Sequence, residues 1–297
     1  MPAYNVGRYI KYAIDSVLDQ SYDKWELIIV NDCSKDNTRD VVREYKDNRI
    51  ILVDRSSNSG SAYMPREDAI KMAKGKWIIN LDADDYIERD YIKKLINKAK
   101  KIQADIVGPQ MVLVNEIGEK QRILAPSNDF NFDKAYSGRE AVNLTLPVWN
   151  IGMNGALIKR DLWVNSLAQY SKTGKREIHD DENLTRILLI NANVVGTDQS
   201  QYYLRSNPLS VTRTFKLSTF GWMKSNDELQ NIISNAYGKE SPEYEKVSIY
   251  DYYCFRDVTS GFMRTKTDFN TFKISLKLIK KWHERIKWGA VISNEPV

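Results

Sequence analysis

Apolar positions along the first half of the chain switch repeatedly between two periods. Ile10, Ala13, Ile14, Val17 and Leu18 recur at helical spacing, and Leu27-Ile-Ile-Val30 is a continuous apolar run of strand length. A helix carrying Val41, Val42 and Tyr45 follows, with Asp36 or Asn37 placed to cap it. Then come a strand at Ile50-Ile-Leu-Val53, a helix over 62–73 with Pro65 tolerable only in its first turn, and a strand opening at Trp77. A helix with Ile92, Leu95, Ile96 and Ala99 leads to a strand over 106–114. Such alternation predicts an α/β fold with a mainly parallel sheet flanked by helices. Residues 115–150 read as irregular, the composition of a segment that covers or lines a site. A strand is expected over 155–158, a short helix over 160–167, and a helix over 181–190 with Leu184, Ile187, Leu188 and Val194 turned to a core. Beyond about Phe215 the pattern is helical throughout, which predicts a C-terminal helical region.

Two features stand out from that pattern. The run Trp77-Ile-Ile-Asn-Leu-Asp82-Ala-Asp84-Asp85 is a buried strand that ends in three carboxylates. Their repulsion costs free energy unless a cation or a hydrogen-bonded ligand offsets it, and clustered carboxylate oxygens select hard cations such as Mg²⁺ or Mn²⁺. The bland alternative is an Asp-rich turn that caps the next helix. The second feature is the N-terminus. Met1-Pro-Ala-Tyr-Asn5 enters the first helix with no strand before it, so either the natural chain starts earlier or an element usual in such sheets is lacking.

Composition narrows the function classes. At 297 residues the chain suffices for one large domain, or one domain with a helical appendage. A net charge of +5 suits an anionic substrate and is too small to argue for nucleic acid. Cys33 and Cys254 form no disulfide framework or zinc spacing, and His179 and His283 are too few for a histidine metal site. A reducing, cytoplasmic setting is the expectation. No apolar run has the length of a bilayer span and no signal peptide is evident. No Walker-type or dinucleotide glycine loop follows any strand, so a nucleotide would not be held by a phosphate-cradling loop.

Four segments then fall in order: Pro2-Ala-Tyr4-Asn5; Asn31-Asp32-Cys-Ser34-Lys-Asp36-Asn37-Thr38 after the first strand; Asn58-Ser-Gly60 followed by Arg66; and Asp82-Ala-Asp84-Asp85. Together they resemble the family 2 glycosyltransferases, inverting enzymes of the GT-A fold that use nucleotide sugars. The resemblance is close over about the first 110 residues and looser to about 213. It implies a GT-A domain over 1–214, with a nucleotide-sugar half (1–110) and an acceptor and catalytic-base half (111–214), followed by a helical region over 215–297. It also implies a UDP-sugar donor, hexosyl or N-acetylhexosaminyl, and Mn²⁺ or Mg²⁺. Pro2 would fix the strand exit and Tyr4 pack on uracil. Asp32 would accept from uracil N3–H, and Arg66 lie near base and diphosphate. Asp82 would contact ribose and metal, Asp84 would be the principal metal ligand, and Asp85 would lend support.

His179-Asp180-Asp181-Glu182-Asn-Leu184-Thr-Arg186 resembles the family's acidic pair at a helix N-terminus, which makes Asp181 the general base. The bland alternative is a set of acids favoured by the helix dipole. Arg205 and Arg213 resemble basic residues that approach the diphosphate, and Trp149 and Asn154 fall where acceptor-side residues occur. Asp180 stands for the usual glutamate, Asn31 for a common aspartate and Cys33 for a common glycine. The implied acceptor is a surface glycan or lipid-linked saccharide, handled in the cytoplasm or at the inner face of the membrane. The basic helix over 272–288 reads as a packed domain helix, with an interfacial helix on anionic lipid as the alternative. Two rivals remain: a truncated or non-catalytic nucleotide-sugar binder, and a sugar nucleotidyltransferase, which would need a glycine-rich basic loop.

Overall fold

A computed structural model describes residues 1–125, 130–146, 153–171, 180–206, 216–265 and 268–286. In chain order the elements are β1 (Pro2–Ala3), α1 (Ile10–Leu18), β2 (Leu27–Asn31), α2 (Thr38–Glu44), β3 (Ile50–Asp54), α3 (Tyr63–Met72) and β4 (Trp77–Ile79). There follow β5 (Tyr86–Ile87), α4 (Tyr91–Ile102), β6 (Ile106–Val114), β7 (Lys120–Ala125), α5 (Gly138–Leu144), β8 (Leu157–Lys159) and α6 (Arg160–Tyr170). The last are α7 (Asp180–Asn191), β9 (Val195–Arg205), α8 (Trp222–Tyr237), α9 (Pro242–Arg264) and α10 (Phe269–Arg285).

β1, β2 and β3 form a parallel sheet, with Pro2 opposite Val30 and Leu27 opposite Ile50. Helices cover β2, so all five of its residues are buried and its apolar run is unbroken. A second sheet runs β4-β8-β6-β9-β5, with β7 beside β6. There β6 and β9 are parallel while the other pairs are antiparallel. Parallel order, predicted from the alternation, thus holds in the first sheet and in the long β6–β9 pair.

One apolar core joins α1, β2 and α4. A second joins α5, α6 and α7 to the C-terminal helices, with Trp163 and Trp282 fully buried in it. The C-terminal helices therefore share a core with the helix that carries Asp181.

Several expectations change. The expected lack of a strand at the N-terminus is overturned: Pro2–Ala3 is a short strand, and the carbonyls of Met1 and Ala3 accept from the N–H groups of Val30 and Asp32. Residues 115–150 are less irregular than they read. Asn115 to Glu119 close a β6–β7 hairpin, where Gly118 takes a φ of 91°. Ser137 and Glu140 make a reciprocal capping box that starts α5. Val194 lies between α7 and β9 and not on the helix face.

Candidate active site

The exits of β1 and β2 are stapled to each other. Asn5 N–H donates to Ser34 Oγ, Val6 N–H to Thr38 Oγ1 and Gly7 N–H to Asp36 Oδ2, while Lys35 N–H donates to Asn5 Oδ1. These bonds use the polar residues of two of the four sequence segments. They leave the Tyr4 ring exposed at the rim, free to meet a flat ligand. Pro2 is buried in β1.

Asn31, in place of an aspartate, accepts from Ser34 N–H and donates to Asp54. Cys33 has a φ of 62°, the left-handed region that favours the glycine it replaces. Cys33→Gly should therefore raise stability by about 0.5–1 kcal/mol, net of the added freedom of the unfolded chain, as read from urea unfolding.

Asp32 is buried and heavily used. Its carboxylate accepts from Ser59 N–H and Ser59 Oγ, and it pairs with Arg55 Nε at 3.0 Å. Asn58 Nδ2 donates to its carbonyl. The Asn58-Ser59-Gly60 segment is thus folded over Asp32, and a base can reach that carboxylate only by taking the place of Ser59.

The acid turn after β4 is fixed from three directions. Arg66, reaching in from α3, donates through Nε to Asn80 Oδ1 at 2.9 Å and through Nη2 to Asp82 Oδ1 at 3.3 Å. Asn154 donates to Asp82 Oδ2 at 2.7 Å and accepts from Asn80 Nδ2. From β9, Tyr202 Oη accepts from Asp82 N–H and donates to Asp85 Oδ2 at 2.7 Å. Asp85, 1 % exposed, also accepts from Arg205 N–H. Burial, then the charges of Asp84 and Asp82, push its carboxyl well above the usual range.

Asp82 and Asp84 remain half-buried beside it. Among the described residues no three acid, histidine or cysteine side chains gather into a metal cage. Two carboxylates from one turn nonetheless suit a hard divalent cation that takes its other ligands from water and phosphate. The residues present fit such an ion bound together with a diphosphate.

Arg205 departs from its expected place. It is 5 % exposed; its Nε donates to the Asp84 carbonyl and its Nη1 to the Glu116 carbonyl, among the rings of Tyr9, Tyr12 and Tyr86. The guanidinium thus holds the acid turn from behind through the Asp84 carbonyl. Arg213, Trp149 and His179 lie outside the described residues.

Asp181 is exposed at the start of α7. Its carbonyl accepts from Thr185 Oγ1 at 2.7 Å, and Thr185 Oγ1 in turn accepts from Met153 N–H at 3.2 Å. Met153 adjoins Asn154, so one dipeptide ties the acid turn to the helix of Asp181. Behind it Glu182 and Arg186 pair at 3.3 Å, and Asn183 donates to Ser225.

Asn80 and Tyr202 went unassigned in the sequence. Asn80 carried a signal, as the one polar residue inside an apolar strand run. Tyr202 carried none, because its contact lies 117 residues away. Gly155 is a further support: at φ 75° its carbonyl accepts from Tyr91 Oη, and an added Cβ would meet Tyr202 Cδ2 at 2.6 Å and Tyr91 Oη at 2.7 Å. Gly155→Ala is expected to cost about 2–3 kcal/mol in urea unfolding, from overpacking and a strained φ.

The family model described as glycosyl transferase family 2 matches residues 1–160. TuaG of Bacillus subtilis strain 168 is 44 % identical over 95 residues, which are 31 % of this chain and 37 % of TuaG. The poly(ribitol-phosphate) beta-glucosyltransferase of Bacillus spizizenii is 33 % identical over 132 residues, 43 % of this chain and 21 % of that protein. The UDP-Glc:alpha-D-GlcNAc-diphosphoundecaprenol beta-1,3-glucosyltransferase WfgD of Escherichia coli is 34 % identical over 126 residues, 42 % of this chain and 49 % of WfgD. The chain thus matches well under two thirds of the length of these relatives. Among solved structures, Staphylococcus aureus TarS 1-349 in complex with UDP-GlcNAc superposes with a TM-score of 0.73 at 18 % identity, over 97 % of this chain and 81 % of that one. That likeness establishes the GT-A fold.

Proposed function

The chain belongs to glycosyl transferase family 2, and from that premise we propose that it is an inverting, metal-dependent glycosyltransferase. It moves a sugar from a UDP-sugar to a hydroxyl of a glycan or lipid-linked saccharide. The observation that carries the reading is the path Asp82–Asn154–Met153–Thr185–Asp181, which couples a donor-side carboxylate to an exposed acid on a helix N-terminus.

In this reading Tyr4 stacks on uracil, and Asp32 accepts from N3–H once the base replaces Ser59. Arg66 holds Asp82 aimed at the ribose and diphosphate side. Asp181 takes the proton of the acceptor hydroxyl, whose oxygen attacks the anomeric carbon as the bond to the diphosphate oxygen breaks. A divalent cation held by Asp84 and Asp82 would neutralise the charge on the departing UDP. Arg66 and Asn154 hold Asp82 in place throughout, so little reorganisation is needed as charge develops.

Donor recognition then belongs to residues 1–110 and acceptor activation to 111–214. The described C-terminal helices α8, α9 and α10 brace the helix of Asp181 through the shared core. Relatives named for poly(ribitol-phosphate) and for diphosphoundecaprenol-linked sugar support an envelope glycan as acceptor. A cytoplasmic enzyme would meet such an acceptor at the inner membrane face. No helix among the described residues is long and apolar enough to cross a membrane. On α10, Phe272, Ile274 and Leu276 are exposed among Lys273, Lys277, Lys280 and Lys281, a surface suited to anionic headgroups.

Incubating the protein with a panel of UDP-sugars and Mn²⁺ should give slow UDP release from one of them, detected by a coupled UDP assay. UDP binding without release from any sugar, with or without saccharide acceptors, would leave a non-catalytic binder. Absence of UDP binding would overturn the donor assignment.

A further inference from the structure

A carboxylate as deeply buried as Asp32 must keep its oxygens paired, and it draws on two very different kinds of support. One belongs to the rigid frame. Arg55, next after β3, pairs with Asp32 Oδ1 at 3.0 Å and also pairs with Asp68 of α3. The other is a surface segment. Ser59 N–H lies 3.1 Å from Oδ1 and 3.0 Å from Oδ2, and Ser59 Oγ lies 2.8 Å from Oδ2.

That segment is lightly attached. Residues 56–58 and 60–62 are exposed, and Ser59 between them is half-buried. Gly60 has a φ of 79°, and an added Cβ there would meet nothing within 4 Å. The turn is closed from within, by Gly60 N–H donating to Asn58 Oδ1 at 2.8 Å. Ser59 Oγ also lies 2.8 Å from the Ser61 carbonyl. A serine hydroxyl has a single proton, which goes either to Asp32 or to Ser61. Turned to Ser61, it lets go of the carboxylate and stays paired. Asn58 Nδ2 meanwhile donates at 3.0 Å to the carbonyl of Asp32, not to its carboxylate. Asn58 is therefore a tether about which Ser59 can lift without unfolding anything buried.

Ser59 N–H and the N3–H of a uracil ring offer Asp32 the same chemistry, a neutral N–H aimed at a carboxylate. We propose that Ser59 is a displaceable stand-in for the base: it holds the Asp32 carboxylate in the absence of nucleotide, competes with uridine for it, and retakes it as UDP leaves. This rests on the reading of Asp32 as the acceptor for uracil N3–H. The apparent affinity for uridine nucleotides is then lowered by the fraction of molecules in which Ser59 occupies the carboxylate. After transfer, the return of Ser59 shortens the stay of UDP. Cytosine presents a lone pair at N3 and cannot replace the donors it would displace, so cytidine nucleotides do not lift the segment.

UDP and CDP, each with Mn²⁺, are titrated into the full chain and into Ser59→Ala, with calorimetry, displacement kinetics and amide hydrogen exchange as readouts. Ser59→Ala should bind UDP at least about threefold tighter and release it more slowly by a similar factor, with CDP affinity within about twofold of the parent. In the unaltered protein UDP should speed exchange of the Ser59 amide at least about tenfold, the reverse of ordinary ligand protection. Equal or weaker UDP binding by Ser59→Ala, or slower exchange of the Ser59 amide in the presence of UDP, overturns the proposal and leaves the donor reading standing. UDP bound no better than CDP by either protein, or not at all, overturns the reading of Asp32 and the proposal with it.

Discussion

Asp181→Asn is expected to lower sugar transfer about 10³-fold while leaving UDP affinity within about twofold, the range over which a positioned general base contributes. The substitution keeps shape and one acceptor oxygen, so the bond from Glu182 N–H to the side chain of residue 181 survives. The helix start is also held through the Asp181 carbonyl and Thr185, which the variant does not touch. A loss of kcat at constant UDP affinity therefore reports proton removal and not collapse of the site. Glu182 is the competing base, one residue away. Burial pushes its carboxyl up to about 7, Arg186 opposing and Asp181 adding to the rise. It is 9 % exposed and packed against the C-terminal helices, which leaves it no path to an acceptor. Glu182→Gln should keep kcat within about tenfold of the parent, far from a base's contribution. Normal transfer by Asp181→Asn with loss in Glu182→Gln would exchange the two roles.

What the sequence made legible divides by the range of the interactions. Periodic apolar runs set β2, β3, α4 and β6 closely, because burial on one or both faces writes itself into spacing over a few residues. The end of the apolar strand at the acid turn was legible for the same reason, since Asp82, Asp84 and Asp85 interrupt the apolar run. Elements stabilised mainly by partners far along the chain were missed. β5 is two residues long and exists through Tyr202 and Tyr203 of β9, and β9 itself alternates weakly. Arg205 shows the limit most clearly. Its sequence neighbourhood suggests a phosphate ligand, yet two carbonyls and three tyrosine rings from distant segments claim it. The N-terminal strand failed for a simpler reason: two residues carry no period, and only the register with Val30 and Asn31 reveals them.

The tyrosines give a related lesson about the acid cluster. Tyr202 and the Arg205 backbone take both oxygens of Asp85, so that carboxyl serves as an internal tie between β9 and the turn. Arg66 and Asn154 together take both oxygens of Asp82 from the other side. Asp82 and Asp85, the first and third acids of the turn, are thus each fixed by two side-chain or backbone donors.

Asp84→Ala is accordingly expected to remove the metal-dependent part of UDP binding, at least about 100-fold in affinity, or about 2.7 kcal/mol. Calorimetry with UDP and Mn²⁺, repeated with chelator, separates that part from base and ribose contacts. In chelator the parent and the variant should bind UDP alike. The stability expectation runs the opposite way. The Asp84 charge is one of the causes that raise Asp85, so its removal relieves repulsion at a buried carboxyl. Without metal the variant should melt no lower than the parent. Added Mn²⁺ with UDP should then raise the Tm of the parent and not that of the variant, since only a state that binds ligand is stabilised by it. Equal metal-dependent stabilisation of both proteins would move the ion to other ligands, and with it the account of how the diphosphate leaves.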